Sequence, residues 1–306
     1  MAEVLTKAAC FILIIILGYA LKRLGVFGRD DYRVVSKIAL NLTLPCAVIS
    51  SFAGFKMDYS LFLLLALGFV GNCLMIMLAL LLTRRETPAA KLFYIISSSG
   101  YNIGCFTLPF VHSFLGAAGV VALCMFDVGN SVMCTGMTYA FTASFIGNAA
   151  GQRDRFTLRS VFGKILGSIP FWTYMVMLAL VLFGIRLPEA VYAFTNMAGG
   201  ANTFICMLMI GMMFELHLDK KSLAQVREIL LARYGCGLSL AALAYFYAPF
   251  GPEASKVLAA ALMAPCTAIG PIFIEKLGGN VALAGVANSV SYAVSVMLLT
   301  LFFTFA

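Results

Sequence analysis

Ten apolar stretches follow one another almost without interruption, at about 4–22, 34–54, 59–83, 92–113, 117–147, 162–184, 189–215, 228–248, 254–277 and 280–305. A helix crossing a bilayer needs about 20 apolar residues, so these stretches occupy nearly all of the 306 residues. In hydrocarbon every backbone group must be paired, and runs of this length pair theirs as helices. The expected fold class is therefore all-α, a polytopic membrane protein of ten transmembrane helices. Composition excludes a water-soluble alternative: 11% charged residues and a mean hydropathy of +0.99 could not cover a globular surface. The first run lacks a small-residue cleavage site before Lys22 and reads as a span, not a signal peptide.

The net charge of +8 would suggest nucleic acid in a soluble chain. Here no nucleic acid is expected, because the basic residues sort by connection. The odd connections carry 17 of the 21 Lys and Arg, including Lys22, Arg23, Arg84, Arg85, Arg153, Arg155, Lys220, Lys221, Arg233 and Lys276. The other side keeps Lys7, Lys56, Arg186 and Lys256. The positive-inside rule then makes the odd connections cytoplasmic and both termini extracytoplasmic, in a multi-pass protein of the inner (cytoplasmic) membrane. Nine cysteines lie in apolar segments with no C-x-x-C pair, so neither disulfides nor a metal site is expected.

Ten spans divide as 1–150 and 151–306, and five spans per half put the halves in opposite orientations. A shift of 162 residues aligns Pro109 with Pro271, Leu115-Gly116 with Leu277-Gly278, and Ala122 with Ala284. This pattern predicts a 5+5 inverted repeat, a transporter signature with its binding site where helices are interrupted. The fourth span runs Ser97-Ser98-Ser99-Gly100-Tyr101-Asn102-Ile103-Gly104 and on to Pro109, a poor uninterrupted helix. The ninth contains Ala264-Pro265-Cys266-Thr267-Ala268-Ile269-Gly270-Pro271. Asn102 and Pro265 lie about ten residues into their spans, roughly 15 Å deep at the helical rise. Two half-helix N-termini meeting there would suit a carboxylate. A pair of Pro-kinked helices packed on their neighbours is the structural alternative.

Asp127 stands equally deep in the fifth span, where an acid is costly and a functional candidate. Asn130 shares its helix face, Ser289 falls opposite it under the repeat shift, and Asn288 precedes Ser289. Asn41, Thr43 and Pro45 interrupt the second span in the same layer, and Gly199-Gly200-Ala201 predicts close helix approach in the seventh. Polar residues of this kind also serve as hydrogen-bond partners between helices. His112 and His217 sit at span ends without metal-ligand spacing.

The chain resembles the auxin efflux carrier family, in its compact prokaryotic form. The likeness rests on Gly18-Tyr19 with Lys22-Arg23-Leu24-Gly25, on Asn41-Leu42-Thr43-Leu44-Pro45, on Asn102-x-Gly104 with Leu108-Pro109, on Phe126-Asp127-x-Gly129-Asn130, and on Pro265 with Pro271. It spans essentially the whole chain. It implies a ten-helix fold related to bile-acid sodium symporters, with spans 4 and 9 crossing at the midplane. Spans 1, 2, 6 and 7 would form a scaffold domain, and spans 3–5 and 8–10 a moving transport domain. It further implies transport of small carboxylates such as malate, malonate or an auxin-like aromatic acid. The long cytoplasmic loop of many plant members is missing, and Ala264 stands where symmetry would place a second crossover asparagine.

The expected function is thus alternating-access transport of a small organic anion. Asn102, Gly104, Pro109, Pro265, Thr267, Pro271 and Asn41 are the candidates at the substrate, and Asp127, Asn130, Asn288 and Ser289 those at a coupling site. An ionised Asp127 would repel an anion unless a cation accompanies it, which makes H+ or Na+ the natural coupling ion. No catalytic residue, metal or bound cofactor is expected. Membrane lipid is the surrounding partner, and a homodimer would form through scaffold helices. A passive channel or receptor on the same fold is the rival reading. An intramembrane enzyme lacks a convergent dyad.

Overall fold

The computed structural model describes residues 2–55, 59–153, 158–215, 220–247 and 249–306. Lys56, Arg155 and His217 lie outside them, as do the side chains of Arg159, Lys164, Lys220 and Lys221. The described residues are helical, without a named strand. Seven helices among them are long and apolar enough to cross a membrane. These are α1 (Ala2–Arg23), α2 (Tyr32–Ser51), α3 (Phe62–Leu82), α5 (Ile103–Ile146), α8 (Glu189–Met213), α9 (Lys220–Tyr247) and α12 (Val281–Phe305).

The expected spans at 92–113, 162–184 and 254–277 are not single helices. The first is split into α4 (Pro88–Ser98) and the start of α5 by Ser99–Asn102, where Gly100 takes φ +82°. The second is two helices, α6 (Leu158–Leu166) and α7 (Ile169–Leu182), because Ser168 caps α7 through the Phe171 N–H and Pro170 opens it. The third is α10 (Pro252–Leu262) and α11 (Gly270–Lys276), parted by residues 263–269.

At 44 residues α5 would extend about 65 Å, twice a hydrocarbon core, were it straight. It breaks at Gly116, whose φ of 64° and ψ of −157° leave the helical region. Gly278, between α11 and α12, takes a similar φ of 71°. Pro271 sits in the first turn of α11, where a missing N–H costs nothing, and Pro109 follows the π-helical turn Ile103–Thr107 that opens α5; each lies seven residues before its glycine. The two stretches thus share one local plan of proline, short helix, left-handed glycine and long helix.

Small residues set the packing. Gly18 and Gly211 bring the backbones of α1 and α8 together: a Cβ on Gly211 would lie 2.0 Å from the Ile15 carbonyl oxygen. Gly68 and Gly129 do the same for α3 and α5. Gly199 abuts the backbone of Ala47 in α2, whereas Gly200 faces open space, so the Gly-Gly pair gives one close approach, not two. Helices α1, α2, α7 and α8 pack on one another, and α3 with α5 and α9 with α10 form the closest pairs elsewhere.

Candidate functional site

The two interruptions meet. Tyr101 and Cys266 form an isolated antiparallel bridge, and the Asn102 N–H donates to the Pro265 carbonyl at 3.1 Å. A non-helical crossing inside a protein must have its backbone groups satisfied by side chains, and an asparagine network does this. Asn72 of α3 accepts from the Gly100 N–H and donates to Asn130 Oδ1 at 3.1 Å. Asn130 also accepts from the Tyr101 N–H at 3.1 Å and donates to the Tyr101 carbonyl at 2.9 Å. At the other interruption, Asn288 donates to the Thr267 carbonyl at 3.0 Å and Ser291 Oγ accepts from the Cys266 N–H at 3.2 Å.

Asp127 is buried beside this crossing. One carboxylate oxygen accepts from Asn130 at 2.7 Å and the other from the Tyr174 hydroxyl of α7 at 2.8 Å. An ionised carboxylate can accept from both, and a protonated one can instead donate to the Tyr174 hydroxyl oxygen. Asn102 directs its amide to the Tyr292 hydroxyl at 3.2 Å. It also precedes the first turn of α5, where the Ile103 N–H donates to the Tyr101 carbonyl at 2.9 Å and the first helical bond is Thr107 N–H to the Asn102 carbonyl; the N–H groups between them have no intrahelical acceptor.

A cavity of about 540 Å³ opens onto the crossing. One wall comes from α2, from the α6–α7 junction and from Met213 of α8; the other is built from Tyr101–Cys105, Thr267–Ile269 and the Asp127 face of α5. The cavity leads from the exposed cations Arg33 and Lys37 inward to Asp127 and Asn102. Its volume lies in the usual range for small-ligand pockets. A second cavity of about 400 Å³ adjoins it, between Lys22, Arg29, Glu215 and Glu275.

Of the residues expected at a substrate, Asn102, Gly104, Thr267 and Asn41 line the large cavity. Pro265 meets the site through its carbonyl, Pro109 is buried in the start of α5, and Pro271 lines the second cavity. Of the coupling candidates, Asp127 and Asn130 are in direct contact in the large cavity. Asn288 lines the second cavity. Ser289 is apart from Asp127: its hydroxyl accepts from the Glu215 N–H at 2.8 Å and donates to the Gly285 carbonyl.

Arg233 requires a correction. Counted among the residues of a connection, it lies at the middle of the 28-residue α9 and is 2% exposed. Its guanidinium donates to the carbonyls of Ser98, Gly100, Ala264 and Pro265, reaching both interruptions, and lies 5.0 Å from the Tyr101 ring. A charge inside the apolar run 228–248 was the available signal, by the rule that singled out Asp127. Asn72, Tyr174 and Tyr292 also went unmarked, since one polar residue in an apolar helix more often joins helices than binds a ligand.

No protein-family model matches the chain. The chain is similar to a protein of Methanothermobacter thermautotrophicus named an uncharacterized transporter, 24% identical over 219 residues, which cover 70% of this chain and 68% of that protein. Seven apolar helices of membrane-crossing length and this likeness together mark a polytopic membrane protein similar to a transporter.

Proposed function

We propose that this chain is a secondary transporter of small organic anions, of the auxin efflux carrier type, working by alternating access. The observation that carries the reading is the backbone crossing at Asn102 and Pro265 on the floor of a cavity whose mouth bears Arg33 and Lys37. In this reading the three interrupted stretches are spans, ten in all, arranged as a 5+5 inverted repeat of residues 1–150 and 151–306. The shared plan around Pro109–Gly116 and Pro271–Gly278 supports it. Helices α1, α2, α6, α7 and α8 would be the scaffold, and α3–α5 with α9–α12 the moving body. The cavity lies between these groups, as a site exposed alternately to each face must.

The substrate carboxylate would sit against the first turn of α5, at Gly104 and beside Asn102 and Thr267. Asp127 would balance the anion through its coupled proton, and its bond to Tyr174 crosses from moving body to scaffold. Protonation of the acid weakens its claim on the tyrosine donor, which ties charge state to domain position. Orientation with both termini outside the cytoplasm places the Arg33–Lys37 mouth on the cytoplasmic side.

The test is a thermal-shift screen of dicarboxylates and aromatic carboxylates on purified protein, across pH. A ligand that binds only the folded state raises its apparent stability. A carboxylate that stabilises the protein, but not Asn102→Ala, supports an anion site at the crossing. Absence of stabilisation by every carboxylate, in protein shown to be folded, would remove the substrate class.

A further inference from the structure

Interrupted helices in transporters leave half-helix C-termini whose free carbonyls are a ready ligand set for a small cation. Here α4 and α10 end side by side, and the carbonyls of Ser98, Gly100, Ala264 and Pro265 point to one place. The occupant is Arg233, whose planar guanidinium presents its donors in a fixed fork. Two of its nitrogens make all four contacts; those from Nη2 are 2.8, 3.1 and 3.1 Å long. The Tyr101 face closes the site from one side. Gly237, one turn along α9, lets that helix approach so closely that a Cβ there would lie 2.8 Å from the Leu262 carbonyl. A guanidinium at this depth in an apolar helix is costly on its own, and these acceptors are what offset it.

We propose that the crossing carbonyls form a monovalent-cation site that the protein fills with its own tethered cation, so that Arg233 removes sodium from the transport cycle. The inference rests on the transporter reading above and deepens it: the coupling ion narrows to the proton, with Asp127 as the one carboxylate among the described residues lining the large cavity, beside Tyr32, Lys37, Cys105 and Cys134. Arg233 is a positioning residue, since its hydrogen bonds go to backbone carbonyls of the crossing and its guanidinium lies over the Tyr101 ring. Its removal leaves four convergent carbonyls that a diffusible cation can occupy.

The experiment reads thermal stability of the full chain without substrate, in sodium chloride against choline chloride at constant ionic strength and pH. The unaltered protein is expected to unfold at the same temperature in both salts. Arg233→Ala is expected to unfold earlier in choline and to be restored, saturably, by sodium or by millimolar guanidinium. Arg233→Lys, which keeps a charge but not the planar fork, should fall between them and respond less. Saturable stabilisation of the unaltered protein by sodium would overturn the proposal, and this arm needs no variant to fold. A folded Arg233→Ala that ignores both cations would overturn it as well. Because no carboxylate is present and chloride is the same in both salts, failure here leaves the carboxylate reading standing, and a carboxylate screen without a hit leaves the cation result intact.

Discussion

Gly129 offers the sharpest test of how the site is held. An ideal Cβ at this position would lie 2.0 Å from the Leu65 carbonyl oxygen and 2.9 Å from the Phe69 nitrogen, both of them backbone atoms of α3. Neither can rotate away, so Gly129→Ala must part α3 from α5 by more than roughly 1 Å to reach ordinary contact in a close-packed interior. Overpacking of this kind costs about 1–3 kcal/mol. The strain reaches function through the next residue, because Asn130 holds Tyr101 at both its N–H and its carbonyl and also bonds Asn72 across the same helix pair. Gly235→Ala is the matched control: nothing lies within 4 Å of its Cβ, and the change should be neutral or stabilising by up to about 1 kcal/mol. A thiol-reactive dye can follow unfolding, since Cys46, Cys124, Cys206 and Cys266 are buried away from the large cavity. Gly129→Ala should unfold well below the control and lose carboxylate stabilisation. Equal unfolding temperatures for the two variants would refute the contact and the argument from it.

The remaining expectations concern the cavity. Asn102→Ala should abolish ligand-induced stabilisation while leaving the unliganded protein folded, as its amide contacts only the Tyr292 hydroxyl. Asp127→Asn should fold, because the Tyr174 hydroxyl can turn to accept from the new amide, but the pH dependence of uptake should flatten; an unchanged profile would remove Asp127 from coupling. Tyr174→Phe leaves a buried carboxylate oxygen short of a donor and should cost about 1–3 kcal/mol, with uptake altered more than substrate affinity. Arg33→Gln with Lys37→Gln should slow anion association most at low ionic strength, because exposed cations act over a screened distance.

How much of this was legible beforehand depends on what each residue's environment contributes. Apolar runs reveal membrane helices because the bilayer imposes length and composition together, and α1, α3 and α12 fall close to their expected bounds. The interruptions were legible because Gly100, Asn102, Pro265 and Gly270 violate helix propensity where a helix has to be. The split between α6 and α7 was harder to see: Ser168 and Pro170 form a helix start within a run apolar enough to read as one span. Partners were the least legible. That Asn130 belongs with Asp127 follows from helical spacing, but that Asn72 and Tyr174 complete the set depends on which helix lies alongside. Ser289 shows the same limit from the other side, as a repeat offset matches positions in two halves without bringing them into contact.

The charges around the crossing then suggest why such a site would favour an anion. A helix carries partial positive charge at its N-terminus and partial negative charge at its C-terminus, so a broken pair presents both signs at one depth. The C-terminal ends of α4 and α10 are covered by Arg233 and turned from the cavity's use. The first turn of α5 faces the cavity at Ile103, Gly104 and Cys105. Among the described residues lining that cavity, the charged groups are Arg33, Lys37 and Asp127. With Asp127 ionised, its charge is offset by the first-turn dipole and the two cations at the mouth; with Asp127 protonated, the balance becomes more positive. Protonation of this one acid would therefore raise anion affinity, and its release would lower it. A proton and an anion would bind together and leave together, with no second ion needed at the crossing. Carboxylate affinity measured against pH should fall as pH rises in the unaltered protein and lose that slope in Asp127→Asn. An identical slope in both would place the proton elsewhere.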